Sequence, residues 1–164
     1  SLDKSFPAKV NLVVTNNHLA QGLFYAKLYK IPVKIIKHKN TFLFESSLLR
    51  EIKKKNIKII CLAGFMKILS KSFIRKFKNK ILNIHPSLLP KYKGLDTYKR
   101  AIKNKERESG CTVHFVTEKI DSGKIILQSK VKILKNETEE TLQQKILKKE
   151  HIIYAKAIRK ICNS

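Results

Sequence analysis

Residues 57–85 read IKIICLAGFMKILSKSFIRKFKNKILNIH. Ile57 to Ala63 is a near-continuous apolar run, the pattern of a strand buried on both faces. Ser70 can cap a helix running to Phe77. Lys80 to His85 is then the next strand. The same alternation continues in both directions. Val10 to Thr15 is apolar and β-branched, a strand. His18 to Tyr29 carries helical periodicity and stops before Ile31-Pro32, because a residue preceding proline leaves the helical region. Val33 to Ile36 is a short strand, and Thr41 to Lys55 a helix with Phe42, Leu48, Leu49 and Ile52 as its apolar side. Beyond His85, Asp96 to Ile102 is a short helix. Cys111 to Thr117 and Ile125 to Val131 are two strands joined through Asp121-Ser122-Gly123, which suits an antiparallel hairpin. Asn136 to Ile161 closes the chain as a long helix. Its acids (Glu137, Glu139, Glu140) lie near the start and its bases (Lys156, Arg159, Lys160) near the end, as the macrodipole favours. Leu142, Ile146, Ile153, Ala157 and Ile161 form its apolar stripe. No repeat or linker interrupts the pattern. The expectation is one α/β domain over residues 1–164: a mostly parallel sheet, an antiparallel strand near the C-terminus, and helices on both faces.

Composition narrows the class. The chain has 164 residues, enough for one real core. Its best apolar run, Ile57 to Leu69, is broken by Lys58 and Lys67 and is too short to span a membrane. The start lacks the apolar core of a signal peptide, and Ser1 in place of Met suggests a fragment or processed chain. The three cysteines, Cys61, Cys111 and Cys162, have no metal-ligand spacing, and their odd number argues against a disulfide framework. Cys61 and Cys111 read as small core residues, and a reducing cytosol fits them best. The net charge of +24 is extreme. Its lysines are spread along the whole chain beside abundant Ile and Asn, and no basic run is interleaved with aromatics as a stacking platform would be. The charge therefore reads as composition rather than as a nucleic-acid surface; a basic nucleic-acid-binding module is the alternative of a different class.

The chemistry sits in ILNIHPSLLPKYKGL, residues 81–95. The strand turns polar at Asn83 and His85, and Pro86 stops it. Strand side chains alternate, so an amide and an imidazole two residues apart share a face. In open α/β sheets ligands bind at the carboxyl ends of strands. His85 can hydrogen-bond or protonate a developing oxyanion, and Asn83 offers amide hydrogens to the same oxygen. Asp121 can favour the charged imidazole and shuttle protons through a water. Each residue also has a structural use: His85 as a satisfied strand-end residue, Asn83 as a turn former, Asp121 as a turn aspartate.

Four blocks carry a resemblance: LAGFMKILS from Leu62, NIHPSLLPKYKGL from Asn83, GCTVHFVTEKIDSGKIILQ from Gly110, and KEHIIYA from Lys149. In order and spacing the chain resembles the folate-dependent formyltransferases, most closely the purine-biosynthesis branch that formylates phosphoribosylglycinamide. The resemblance implies a Rossmann-like formyltransferase fold and transfer of a formyl group from the co-substrate 10-formyltetrahydrofolate. It implies that Asn83, His85 and Asp121 are catalytic. It places Met66, Lys67, Ile68 and Leu69, with Asn83, along the folate, Lys67 standing where arginine is common. Glu150 matches a glutamate that contacts the acceptor substrate, and His114 a second histidine near the site. Pro86 after His85 favours the glycinamide acceptor over the methionyl-tRNA, sugar-nucleotide and deformylase relatives, which share the Asn-x-His…Asp core. Leu89-Pro90 is a cis candidate in the tight loop. No metal is implied, the partners are small molecules rather than nucleic acid or membrane, and the expected state is monomer or homodimer in the cytoplasm.

Two departures stand out. The family's first strand, Gly-rich phosphate loop and first helix have no counterpart. The glycines Gly22, Gly64, Gly94, Gly110 and Gly123 are isolated and form no phosphate cradle. Ser1 to Pro7 looks like the linker that would follow the missing helix. The expectation is a truncated piece of a complete enzyme, with unpaired strand edges and exposed apolar surface. Near Lys39 to Thr41 the connection is shortened, and Thr41 stands where the family has an arginine that helps bind folate.

Overall fold

The computed structural model describes residues 5–163. Strands and helices alternate as β1 (Val13–Thr15), α1 (Gly22–Leu28), β2 (Val33–Ile35), α2 (Thr41–Lys54), β3 (Ile60–Leu62), α3 (Lys71–Lys76), β4 (Ile81–His85) and α4 (Thr97–Lys103). The hairpin β5 (Glu108–Phe115) and β6 (Ile125–Lys132) follows, and α5 (Glu139–Cys162) ends the chain. Part of the expected linker, Ser1 to Lys4, lies outside the described residues.

β1 pairs with β2 in parallel, and β3 with β4 in parallel. β5 runs antiparallel to both β4 and β6, so in the sheet β3-β4-β5-β6 it alone opposes the others. The expected alternation, the parallel pairs and the antiparallel strand near the C-terminus are all present. The sheet is in two pieces, however. Among the described residues β1 and β3 each have a strand neighbour on one side only. Yet Val14 of β1 and Ile60 and Leu62 of β3 pack against the same apolar cluster, built on Ile36, Phe44, Leu48, Phe73 and Ile81. The expected open edges are therefore here, and apolar surface is exposed at Phe24, Tyr25 and Leu28 of α1 and at the adjoining Tyr29.

Three sequence expectations need correction. β3 is shorter than Ile57–Ala63 and is not buried on both faces: Ile60 and Leu62 are only half-buried and Cys61 is exposed. Helix α1 begins at Gly22 rather than His18, since Thr15 and Asn17 bond locally and hold residues 15–19 in a turn. In α2 the buried line is Phe44, Leu48 and Ile52, four residues apart, and Phe42 lies off that line at 75% exposure.

β4 separates two cores. Ile81 faces the cluster under α2 and α3; Ile84 faces a second cluster with Cys111, Val113, Leu142, Ile146 and Ala157. The expected α5 stripe thus covers the β4–β5 face. Alternation puts Asn83 and His85 on the side of Ile81, away from α5.

Helix starts are secured by side chains. Asn40 accepts from the Leu43 amide, and Ser70 from the Phe73 amide. Thr138 and Thr141 form a reciprocal capping box. Buried Glu45 reaches from α2 to the start of α3, accepting from Ser70 N and Ser70 Oγ, both at 2.6 Å. Replacing Glu45 with Ala leaves Ser70 N unpaired beneath the first core. We expect a loss of about 2 kcal/mol, in the range for charge-assisted bonds to a carboxylate, measured by urea unfolding. A change under about 0.5 kcal/mol would show that water replaces the carboxylate freely.

Among the described residues no helix is long and apolar enough to cross a membrane.

Candidate active site

The β4–β5 register sets the site. Asn83 lies opposite His114, and His85 opposite Thr112, so these four side chains share one face. His85, Thr112 and His114 are buried. The hairpin loop leaves β5 beside Leu82 and brings Asp121 over this face. Asp121 has φ 45°, a left-handed conformation open to aspartate. It is thus both the turn aspartate and the residue that meets the histidines.

The Asp121 carboxylate bridges two rings. Its Oδ2 lies 3.3 Å from His85 Nδ1 and accepts from Gly94 N at 2.9 Å. Its Oδ1 lies 3.5 Å from His114 Nε2. Burial pushes the carboxyl upward, but the His114 bond, the Gly94 amide and the charge of both rings outweigh it. The net effect holds Asp121 below the usual carboxylate range. His114 Nδ1 faces Phe115 O at 2.9 Å and so carries a proton. Its Nε2 meets Asn83 Nδ2 at 3.4 Å. When that nitrogen is unprotonated it accepts from the Asn83 amide and orients it; when protonated it donates to Asp121.

The loop after His85 is fastened from below. Thr112 Oγ1 donates to Ser87 O at 2.6 Å and accepts from Leu89 N at 3.1 Å. Gln128 Nε2 donates to Leu89 O at 2.8 Å and to Thr112 Oγ1 at 2.9 Å. Ser87 Oγ donates to Lys91 O at 2.6 Å, and Leu89-Pro90 is cis, as the sequence led us to expect. Sequence reading did not single out Thr112 and Gln128. Their signal exists only in the β5–β6 pairing, which sets Thr112 opposite Gln128.

The remaining candidates are spread around this centre. Met66 and Ile68 follow β3 and are exposed, 75% and 72%. Lys67 donates to Lys39 O at 3.4 Å and lies over the Phe44 ring. Leu69 instead belongs to the first core, so its side chain is unavailable to line a pocket. Pro86 is half-buried beside His85. Glu150 stands on α5, on the far side of β4, with no hydrogen bond to the trio among the described residues. Burial pushes its carboxyl up to about 7, and Tyr98 and Cys111 are its electrostatic neighbours.

An amide, two imidazoles and a carboxylate on one sheet face are equipped to stabilise an oxyanion and to move a proton. The formyl transferase pattern matches residues 2–158, and the chain belongs to the formyl transferase family. It is 42% identical over 159 residues to phosphoribosylglycinamide formyltransferase of Haemophilus influenzae, covering 93% of this chain and 74% of that one. It is 45% identical over 159 residues to the trifunctional purine biosynthetic protein adenosine-3 of Chironomus tentans, of which it spans only 12% against 95% of its own length. The crystal structure of phosphoribosylglycinamide formyltransferase from Brucella melitensis superposes with a TM-score of 0.93 at 38% identity, covering 99% of this chain and 85% of that one.

Proposed function

We propose that the full gene product transfers the formyl group of 10-formyltetrahydrofolate to the primary amine of phosphoribosylglycinamide, a step of purine biosynthesis. The reading rests on one observation above others: Asn83 and His85 share a face with Asp121, whose Oδ2 is 3.3 Å from the His85 ring. The amine attacks the formyl carbon. Asn83 Nδ2 and the Nδ1–H of the imidazolium form of His85 stabilise the tetrahedral oxyanion. Asp121 supports the imidazolium and, through a water, helps carry a proton from the amine to the departing folate nitrogen. The exposed apolar side chains of Met66 and Ile68 suit the flat face of a folate ring, and Lys67 suits its carboxylates. Glu150 is assigned to the acceptor by the resemblance, from its place on α5 across β4 from the trio. The resemblance and the free thiols support a small-molecule enzyme of a reducing cytoplasm.

The test is a coupled assay on the full gene product with both substrates. Expected is one formylated glycinamide ribonucleotide, seen by mass, for each tetrahydrofolate released. Formate without formylated amine would convert the reading to a deformylase. Tight oligonucleotide binding at physiological salt with no turnover would replace it with a nucleic-acid module.

A further inference from the structure

The His85 ring has a second anchor outside the catalytic trio. Its Nε2 lies 2.8 Å from Tyr92 O, a shorter contact than the one between Nδ1 and Asp121. Both ring nitrogens therefore face oxygen acceptors. The Nε2 proton is committed to a backbone carbonyl, so Nδ1 is the nitrogen turned toward Asp121 and the reacting oxygen.

Tyr92 does not hold that carbonyl in place by backbone preference. Its φ is 54°, a region unusual for a bulky aromatic residue. Its side chain, however, is gripped by neighbours. Tyr92 Oη donates to Glu106 Oε1 at 2.8 Å and accepts from Asn104 Nδ2 at 3.0 Å. The Arg100 guanidinium lies 5.1 Å from the ring centroid and donates to Lys93 O and Leu95 O on the same loop. Lys91 Nζ completes the cluster with Glu106 at 2.9 Å. Arg100, Asn104 and Glu106 come from α4 and the turn after it, outside the catalytic trio.

We propose that Tyr92 is a positioning residue. Its phenol, gripped by Glu106, Asn104 and Arg100, fixes the backbone carbonyl that pins His85 Nε2 and aims Nδ1 at the reacting centre. This deepens the formyl-transfer reading and rests on it for its kinetic consequence, but the ring geometry stands independently. Misplacing a catalytic group by a fraction of an ångström loses rate without loosening substrate binding.

The test uses the full gene product with Tyr92→Phe and, separately, Glu106→Ala. Nitrogen-15 NMR of the histidine rings reports the Nε2 proton of His85 whether or not the enzyme turns over. Expected is a hydrogen-bonded, slowly exchanging Nε2 proton in the wild type that exchanges at least about tenfold faster in both variants. With it, kcat should fall by about tenfold while both KM values stay within about twofold. A slowly exchanging proton and wild-type kcat in both variants would overturn the proposal. A change in exchange in a protein that transfers no formyl group would uphold the positioning and overturn only the assigned reaction.

Discussion

Asp121→Asn in the full gene product is expected to lower formyl-transfer kcat by about 10³-fold, while the Kd for the folate stays within about twofold. The substitution is nearly isosteric, so Gly94 N keeps an oxygen to bond. What changes is charge and polarity. The carboxylate offers oxygens to His85 Nδ1 and His114 Nε2 at once. An amide turns an NH2 toward one of those rings, and with the charge gone an imidazolium forming at His85 loses its counter-ion. Folate contacts assigned to residues 66–68 are untouched. Stopped-flow kinetics and folate titration separate the two effects, and turnover within about tenfold of wild type would remove Asp121 from the mechanism. A second measurement is independent of activity. Asp121 titrates lower in the folded chain than its ordinary value. It therefore stabilises the fold above the unfolded-state carboxylate range, and that stabilisation fades as pH falls through the folded value. The gap in unfolding free energy between wild type and Asn variant should accordingly be wide at neutral pH and narrow in acid.

The part of the molecule legible in the sequence is the part whose side chains obey a single period. α5 shows its stripe at helical spacing and buries Leu142, Ile146, Ile153 and Ala157 as the stripe requires. β4 announces its polar end at Asn83 and His85 because alternation needs no tertiary information. β3 misleads for a physical reason. Its apolar run reads as a strand covered on all sides, but with one edge unpaired only three residues keep strand geometry, and Cys61 faces solvent. The pairing of His114 with Asn83 depends on register between strands, which no local pattern specifies. The Tyr92 contact leaves no trace at all, since the group that meets His85 is a backbone carbonyl and any residue type carries one. Asp121 has two sequence readings, turn former and site residue, and the structure gives it both geometries.

Gly110→Ala is expected to damage the β5–β6 hairpin severely. Gly110 pairs with Lys130, and a Cβ added there would lie 2.0 Å from Ser129 O, 3.0 Å from Ser129 C and 2.8 Å from Leu88 Cδ2. The first two are backbone atoms of a paired strand. They cannot retreat without opening the Cys111–Ser129 and Thr112–Gln128 pairs beside them. Gln128 is also the donor that fastens Leu89, and Leu88 belongs to the same loop, so a displaced β6 loosens the segment that follows His85. Overpacking against backbone costs more than overpacking against a flexible side chain, and we expect a loss of about 3–5 kcal/mol. In thermal unfolding this corresponds to a midpoint lowered by about 10 °C for a chain of this size. Gly22→Ala is the matched control: it opens α1, has no atom within 4 Å of the added Cβ, and should hold or slightly raise stability. Equal stability of the two variants would mean that β6 can shift as a body. The anchoring of the site loop through Thr112 and Gln128 would then be softer than their hydrogen bonds imply.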